Sequence, residues 1–161
     1  MQNKKILFLT KAAAIAALYV VLTLLSNAFG LANFSIQIRL SEALTILPLF
    51  TPAAIPGLYI GCLLSNILTG CIFWDILFGP IATLMGAVGT YLIGRKYKWL
   101  APLPPILANT AIIPFLLTYA YHLQGTLPYF MLTIGCSEFL SAGILGMLLY
   151  FPLYRHKKQI F

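Results

Sequence analysis

The chain has 161 residues, of which 61% are hydrophobic and only 8% carry a charge. About a quarter of the residues in a soluble domain are charged, so this composition excludes a soluble enzyme or binding module and indicates an integral membrane protein. The net charge of +7 does not indicate nucleic-acid binding, because the basic residues flank apolar segments and form no single stripe.

Apolar stretches separated by short polar breaks predict six transmembrane helices in one domain, residues 1–161. We expect them at about residues 6–29, 40–50, 53–70, 75–94, 100–122 and 127–153 and number them helix 1 to helix 6. The predicted fold class is therefore all-α, an integral membrane bundle. Helix 2, with about eleven residues, spans roughly 16 Å of a roughly 30 Å bilayer core. A half-length helix beside the polar stretch 30–39 predicts a pocket on the outer side, since backbone in lipid needs cover from protein or water.

Prolines and one aspartate predict the breaks between the helices. Thr51-Pro52 stops helix 2, and Pro56 falls in the first turn of helix 3, where proline is tolerated. Asp75 is well placed as the N-cap of helix 4. Pro114 predicts a kink in helix 5.

The basic residues predict the orientation of the bundle. Six spans put both termini and the 95–98 loop on one side, and these segments hold nine of the ten Lys and Arg residues. Only Arg39 falls on the other side. The positive-inside rule therefore predicts that the N- and C-termini are both cytoplasmic.

Glu42, Asp75 and Glu138 are the only carboxylates in the chain and the first candidates for a binding site. A carboxylate in or near a hydrocarbon layer is costly and is usually kept for a partner, a ligand or an ion path. Glu138 lies near the middle of helix 6 with no basic residue in its span. It is either a buried carboxyl that is protonated or bonded to another helix, or a ligand group. Ser141 follows one turn later on the same face.

Further polar and aromatic groups are candidates for the same site. Asn109 in helix 5 either joins two helices or binds a ligand, because an amide both donates and accepts. Arg39 and Glu42 are three residues apart and either form a salt bridge or frame the mouth of the pocket. Trp74 and Tyr121 lie at the outer ends of helices 4 and 5. They are either interfacial belt residues or groups that stack on a planar ligand.

Small residues at four-residue spacing form ladders that let helix backbones approach closely. Helix 3 carries Gly57-x-x-x-Gly61, which we expect to pack inside the chain. Helix 1 carries a purer ladder, which either packs internally or docks another subunit. Its members are Ala12, Ala13, Ala16 and Ala17.

The sequence shows no pattern for catalysis or metal binding. It lacks a Gly-x-x-x-x-Gly-Lys-Ser/Thr phosphate loop, so we do not expect it to hydrolyse ATP itself. His122 and His156 fall on opposite predicted sides of the membrane, and the three cysteines match no metal or redox spacing. We predict no enzyme activity, no resident cofactor and no metal.

Two segments carry a resemblance to a known family. The run 36–66, which includes Arg39-x-Ser41-Glu42-Ala43-Leu44, and the run 74–84, which begins with Trp74-Asp75, closely resemble QueT proteins. The similarity extends over nearly the whole chain. QueT proteins are substrate-binding (S) components of energy-coupling factor (ECF) transporters, linked to queuosine precursors or salvage. The resemblance implies a bacterial cell-membrane protein that captures a 7-deazaguanine from outside: queuine, queuosine, or a precursor with a nitrile or aminomethyl arm.

The resemblance also implies partners and site residues. An S component associates with a transmembrane coupling (T) subunit, which docks on the alanine ladder of helix 1, and with two cytosolic ATPases, which use the ATP. A deazaguanine presents an exocyclic amine and a ring N–H that fit a carboxylate, and a cationic aminomethyl arm would favour a second one. Glu138 would take one of these roles and Asn109 would bind the base, with Trp74 or Tyr121 stacking. The other site residues implied are Arg39, Glu42, Asp75 and Ser141.

Three other functions compete with this interpretation. The same transporter class could serve another vitamin, such as riboflavin or thiamine. A membrane-assembly protein without a small ligand would use Glu138 and Asn109 for folding only. A solitary proton-coupled carrier would transport its substrate without ATPase subunits.

Overall fold

The computed structural model describes residues 2–31, 38–122 and 124–160, and these ranges contain helices and no strand. Helix 1 spans Gln2–Ala28, helix 2 is a 3-10 helix over Leu40–Leu49, helix 3 spans Ala54–Leu68 and helix 4 spans Phe73–Gly94. Helix 5 is α-helical over Leu103–Phe115 and continues as a π-helix over Leu116–Ala120. Helix 6 is α-helical over Leu127–Glu138, π-helical over Phe139–Leu145 and α-helical again over Gly146–Ile160.

The predicted all-α architecture with six helices is confirmed, and the chain is a multi-pass membrane protein. Helices 1, 4, 5 and 6 belong to apolar segments of 22 to 31 residues, long enough to cross a bilayer. Helix 2 is the short one, with 10 residues, and helix 3 has 15. Because a 3-10 helix rises about 2.0 Å per residue, helix 2 spans roughly 20 Å.

The predicted N-cap of helix 4 is wrong. The residue that caps the helix is Ile72, which is extended with φ −65° and ψ 157°, and Asp75 is the third residue inside the helix. The Asp75 carboxylate instead accepts a hydrogen bond from the Tyr121 hydroxyl, at 3.1 Å. A partner from another helix has thus replaced the local backbone bond that a cap would make. Of the polar stretch 30–39, residues 32–37 lie outside the described residues.

Hydrogen bonds connect the ends of five helices at one end of the bundle, which we call the Asp75 end. The Leu40 N–H, at the start of helix 2, donates to Ser26 Oγ near the end of helix 1, at 2.9 Å. Asn66 Nδ2, near the end of helix 3, donates to the Asp75 carbonyl at the start of helix 4, at 3.0 Å. Tyr121 adds the end of helix 5 through its bond to Asp75.

The opposite end of the bundle, which we call the basic end, collects positive charge. The end of helix 2, the end of helix 4 and the last turns of helix 6 line one cavity there. The first half of helix 1 belongs to the same end, because it packs on the first turns of helix 3. Apart from Arg39, all the basic residues of the sequence belong to segments that meet at this end. They are Lys4, Lys5, Lys11, Arg95, Lys96, Lys98, Arg155, Lys157 and Lys158.

The close packing expected of Gly57-x-x-x-Gly61 is confirmed, and its partner is helix 1. A Cβ added at Gly57 would lie 2.8 Å from the Ala12 carbonyl oxygen. One added at Gly61 would lie 3.0 Å from the Ala16 carbonyl oxygen and 2.7 Å from the Tyr19 Cβ. Only hydrogen fits at these two positions, so the two helices are in backbone contact. This contact fixes Tyr19 on the inner face of helix 1.

Candidate functional site

A polar cavity lies in the middle of the bundle and is lined by residues of helices 2, 4, 5 and 6 together with Arg39. We call it the central cavity. Its lining residues are Arg39, Glu42, Gly79, Thr83, Asn109, Ile113, Ile134 and Glu138. Its volume is about 10 Å³, which is room for about one water molecule. The structure therefore shows a closed form of this cavity.

Glu42 is held in place by a tyrosine from helix 1. The carboxylate is 2% exposed, and the Tyr19 hydroxyl, from a side chain with no exposed surface, donates to Glu42 Oε1. The positive charge of Arg39, three residues earlier, also acts on Glu42. The second oxygen, Oε2, has no hydrogen-bond partner in the described part of the chain. Glu42 thus keeps one acceptor oxygen available.

Glu138 approaches the same cavity from helix 6, at the junction between its first α-helical and π-helical parts. It is 7% exposed, and its Oε2 likewise has no hydrogen-bond partner among the described residues. The Asn109 amide interacts with both Glu42 and Glu138, so it links the two carboxylates. Three side chains with hydrogen-bonding capacity thus converge from three helices.

The carboxylate oxygens without a partner, Glu42 Oε2 and Glu138 Oε2, carry a cost in free energy. A buried polar group without a partner costs about 1–3 kcal/mol, and a charged group costs more. Both central carboxylates have such an oxygen. A ligand that brings N–H donors into the cavity would remove that cost, so the arrangement favours a ligand rich in hydrogen-bond donors.

A second cavity lies at the Asp75 end, and we call it the end cavity. Its volume is about 220 Å³, and it is lined by Thr23, Asn27, Arg39, Asn66, Thr69, Gly70, Cys71 and Tyr121. Arg39 lines both cavities, which makes it the residue between them. The lining is otherwise mostly hydroxyl and amide groups, so the end cavity is a polar approach to the central one.

Tyr121, which lines the end cavity, is hydrogen-bonded to Asp75. Tyr121 donates to Asp75 Oδ2 and accepts a hydrogen bond from the Ile72 N–H, at 3.4 Å. Partial burial, together with the negative charge of Asp75, raises the pKa of Tyr121. The hydroxyl therefore stays protonated at neutral pH and remains a donor to Asp75. Asp75 Oδ1 is buried without a partner in the described residues.

The structure brings together four of the eight substrate-binding residues named from the sequence, Arg39, Glu42, Asn109 and Glu138, around the central cavity. Asp75 and Tyr121 meet at the end cavity. The other two candidates, Trp74 and Ser141, lie elsewhere.

Trp74 and Ser141 line neither cavity. Trp74 is 51% exposed, and its ring stacks on Phe78 with centroids 6.1 Å apart, on the outer surface of helix 4. Ser141 is 1% exposed, and its Oγ has no hydrogen-bond partner in the described part of the chain. It lies one turn beyond Glu138, inside the π-helical part of helix 6.

Sequence reasoning missed Tyr19 and Thr83. Thr83 lines the central cavity from helix 4, although its hydroxyl donates to the Gly79 carbonyl at 3.2 Å. For Tyr19 a signal was available, because it continues the spacing of Ala12 and Ala16 on one helical face. A buried tyrosine hydroxyl needs a partner, and the spans offer few acceptors besides the carboxylates.

The alanine ladder of helix 1 divides into two faces. Ala12 and Ala16 are each 6% exposed and pack on helix 3. Ala13 and Ala17 are exposed on the other side. The docking of another subunit stays a prediction, and Ala13 and Ala17 are the two ladder residues that offer an open surface for it.

Comparison with known proteins assigns the family. The model of a family described as QueT transporter matches residues 9–155. The chain belongs to the QueT transporter family. Since this is a family of transporters, the prediction that the chain is not an enzyme is confirmed.

One relative carries a more specific name. The chain is 34% identical over 104 residues to the "Queuosine precursor transporter QueT" of Lactococcus lactis subsp. cremoris (strain MG1363). The alignment covers 62% of this chain and 60% of the relative. No solved structure shows a significant match.

Proposed function

We propose that this chain is the substrate-binding S component of an ECF-type importer for a 7-deazaguanine: queuine, queuosine or a precursor base. The observation that carries the proposal is the convergence of Glu42, Asn109 and Glu138 on one buried cavity, with an unused oxygen on each carboxylate. Membership of the QueT transporter family and the name of the Lactococcus relative support this substrate class.

The chemistry of the base fits these groups. A deazaguanine presents two parallel donors, the ring N–H and the exocyclic amine, and a carboxylate accepts both through its two oxygens. The neighbouring ring carbonyl is an acceptor, which the Arg39 guanidinium or the Asn109 amide can serve as a donor. Ile113 and Ile134 supply the apolar walls that a flat ring needs.

The closed cavity must open to admit such a ligand. A volume of about 10 Å³ is far below the roughly 300 Å³ of the smallest ordinary ligand pockets. The end cavity, with about 220 Å³, provides the entrance, and Arg39 stands between the two. In this proposal the ligand enters at the Asp75 end, and the Arg39 side chain moves to let the base reach Glu42 and Glu138.

The energy for transport comes from partner subunits, and the distribution of basic residues sets the orientation of the protein in the membrane. The chain has no phosphate loop of its own, so ATP is used by two partner ATPases, and a T subunit docks on the Ala13 and Ala17 face of helix 1. The basic end, with both termini, faces the cytoplasm of a bacterial cell, and the Asp75 end faces outward. The ligand is thus captured outside and delivered by the assembled complex.

A calorimetric titration of the detergent-solubilised protein tests this function. The ligands are queuine, queuosine, the aminomethyl and nitrile precursors, guanine and riboflavin. The proposal expects nanomolar to low-micromolar binding of at least one deazaguanine, with weak binding of guanine and no binding of riboflavin. Binding of riboflavin alone would point to another vitamin, and no binding of any ligand would favour an assembly protein.

A further inference from the structure

A third cavity, which the transport function does not use, lies at the basic end, and we call it the basic-end cavity. Its volume is about 190 Å³, and its lining residues are Leu49, Phe50, Gly94, Arg95, Lys98, Tyr150, Tyr154 and Lys157. Three of the eight are cations and two are tyrosines. The walls come from the ends of helices 2 and 4, the turn Lys98–Leu100, and the last turns of helix 6.

One tyrosine ring holds two of the cations together. Lys98 Nζ lies 4.6 Å and Lys157 Nζ 4.5 Å from the centroid of the Tyr154 ring. The two ammonium groups are therefore no more than about 9 Å apart. Lys98 Nζ also donates to the Tyr154 hydroxyl at 3.4 Å, and Tyr154 stacks on Tyr150 with centroids 5.4 Å apart. The aromatic stack holds two like charges close together, although they repel each other.

Among the described residues, no carboxylate side chain lies beside these cations. The sequence contains only Glu42, Asp75 and Glu138. Glu42 and Glu138 line the central cavity, and Asp75 lies at the opposite end of the bundle. None of these three side chains therefore serves as a counter-charge at this cavity, which leaves it open to an anionic group of another molecule.

The aromatic residues around this cavity place it at the membrane surface. Trp99, next to Lys98, is 78% exposed, and Tyr97 on its other side is 54% exposed. Exposed tryptophan and tyrosine at helix ends are typical of the headgroup level of a bilayer. Basic pockets between helices at this level bind the phosphate groups of anionic lipids.

We propose that this cavity binds the phosphate of an anionic phospholipid, with Lys98 and Lys157 as the principal contacts and Arg95 at the rim. The phosphate lies between the two ammonium groups and relieves their repulsion, while Leu49 and Phe50 supply an apolar wall for the glycerol part of the lipid. A soluble phosphate has the same charge, so the experiment must separate the two sources.

Fluorescence quenching by brominated lipids measures this binding. The W74F variant leaves Trp99 as the only tryptophan, beside the site. Its protein is placed in vesicles of equal parts phosphatidylglycerol and phosphatidylcholine, with bromine on the chains of one lipid or the other. We expect brominated phosphatidylglycerol to quench Trp99 with an association constant at least tenfold above that of brominated phosphatidylcholine. Equal quenching by the two lipids would overturn the proposal and leave the cations for an acidic protein partner.

Charge-matched variants in the same background show whether the cavity itself is responsible. Each lysine near a membrane surface is worth about a fivefold change in binding, so K98Q/K157Q should remove the preference and K98R/K157R should keep it. K4Q/K5Q removes the same charge from the same end of the bundle but from outside this cavity, so the preference measured locally at Trp99 should change less than twofold. If both glutamine pairs lose it equally, the attraction is diffuse and the proposal fails.

Inorganic phosphate separates the lipid from a soluble anion. Added in excess over chloride at matched ionic strength, it should leave the quenching ratio within twofold, because a lipid in the bilayer is held at high local concentration. Abolition of the preference by phosphate would overturn the lipid as the natural ligand and indicate a site for a soluble phosphate compound.

Discussion

The central cavity and the basic-end cavity are both polar regions of an apolar chain, but the charged groups are buried in the first and exposed in the second. The central cavity buries its two carboxylates almost completely, with one cation, Arg39, beside them. The basic-end cavity is lined by three exposed cations, and two of them lie over the Tyr154 ring. Burial makes each lost interaction costly, whereas exposed charges are screened by water and salt. Substitutions in the central cavity are therefore expected to cost more binding free energy than substitutions at the basic-end cavity.

Helix 2 connects the two regions. Its first turn carries Glu42, and its last residue, Leu49, lines the basic-end cavity. The comparison thus has a sharp consequence: substitutions at the centre should change ligand affinity strongly, and those at the basic end should not. The four predictions below follow this order of expected effect.

The largest effect is expected from E138Q. The substitution keeps the shape of the side chain and removes its charge, so a ligand donor loses a charge-assisted bond worth about 1.5–3 kcal/mol. Titration should show affinity for the best deazaguanine reduced roughly 10-fold to 150-fold. D75N is the matched control, since it removes the same charge at the Asp75 end and should cost less than half as much. An unchanged affinity in E138Q would remove Glu138 from the site.

The next largest effect is expected from substitutions in the contact between helices 1 and 3, which positions Tyr19 beside Glu42. A16L forces a large side chain against helix 3 and should lower the stability of the protein by about 1–3 kcal/mol. A13L, on the exposed face, should leave both the thermal unfolding and the ligand affinity unchanged while it abolishes uptake by cells that contain the T subunit and ATPases. Full uptake by A13L would contradict docking on this face.

An effect of similar size on stability is expected from Y19F. The variant removes only the hydroxyl that donates to Glu42 Oε1. The other oxygen, Oε2, already has no hydrogen-bond partner among the described residues. The stability of the ligand-free protein should fall by about 1–3 kcal/mol. Y150F, another tyrosine with little exposed surface but at the basic end, is the control and should change stability by less than about 0.5 kcal/mol. Equal effects would show that the Glu42 contact has no special weight.

The smallest effect is expected from K98Q/K157Q on ligand binding. These residues lie at the other end of helix 2, and surface charges are screened over about 10 Å at ordinary salt. Titration with the best deazaguanine should give an affinity within twofold of the unsubstituted protein. A tenfold change would show that the two cavities are coupled through helix 2. It would contradict the expectation that substitutions at the basic end leave ligand affinity unchanged.

The sequence predicted more of the architecture than of the site. Six helices, the short helix 2 and the packing of Gly57-x-x-x-Gly61 follow from hydropathy and from residue size, which are local properties. Glu138 and Asn109 were found because polar groups in apolar spans are rare. Local patterns do not show which distant groups meet, so Tyr19 was missed as the partner of Glu42, and Asp75 was given a backbone role when its partner is Tyr121.

The sequence also did not show which side chains face the interior of the bundle and which face its outer surface. Trp74 and Asp75 are neighbours, yet the ring of Trp74 lies on the outer surface while Asp75 is buried. The faces of helix 1 differ for the same reason, since only the position of helix 3 decides that Ala16 is buried and Ala13 is exposed. Such facts depend on how helices are arranged around one another.

The central claim is that a buried carboxylate of this chain accepts the two parallel donors of a deazaguanine. The most direct test is to titrate the purified protein with the best-bound deazaguanine and with its analogue that lacks the exocyclic amine. The account predicts that the analogue binds at least tenfold more weakly to the unsubstituted protein and that this difference shrinks in E138Q or in E42Q. Equal affinity of the two compounds for the unsubstituted protein would contradict it.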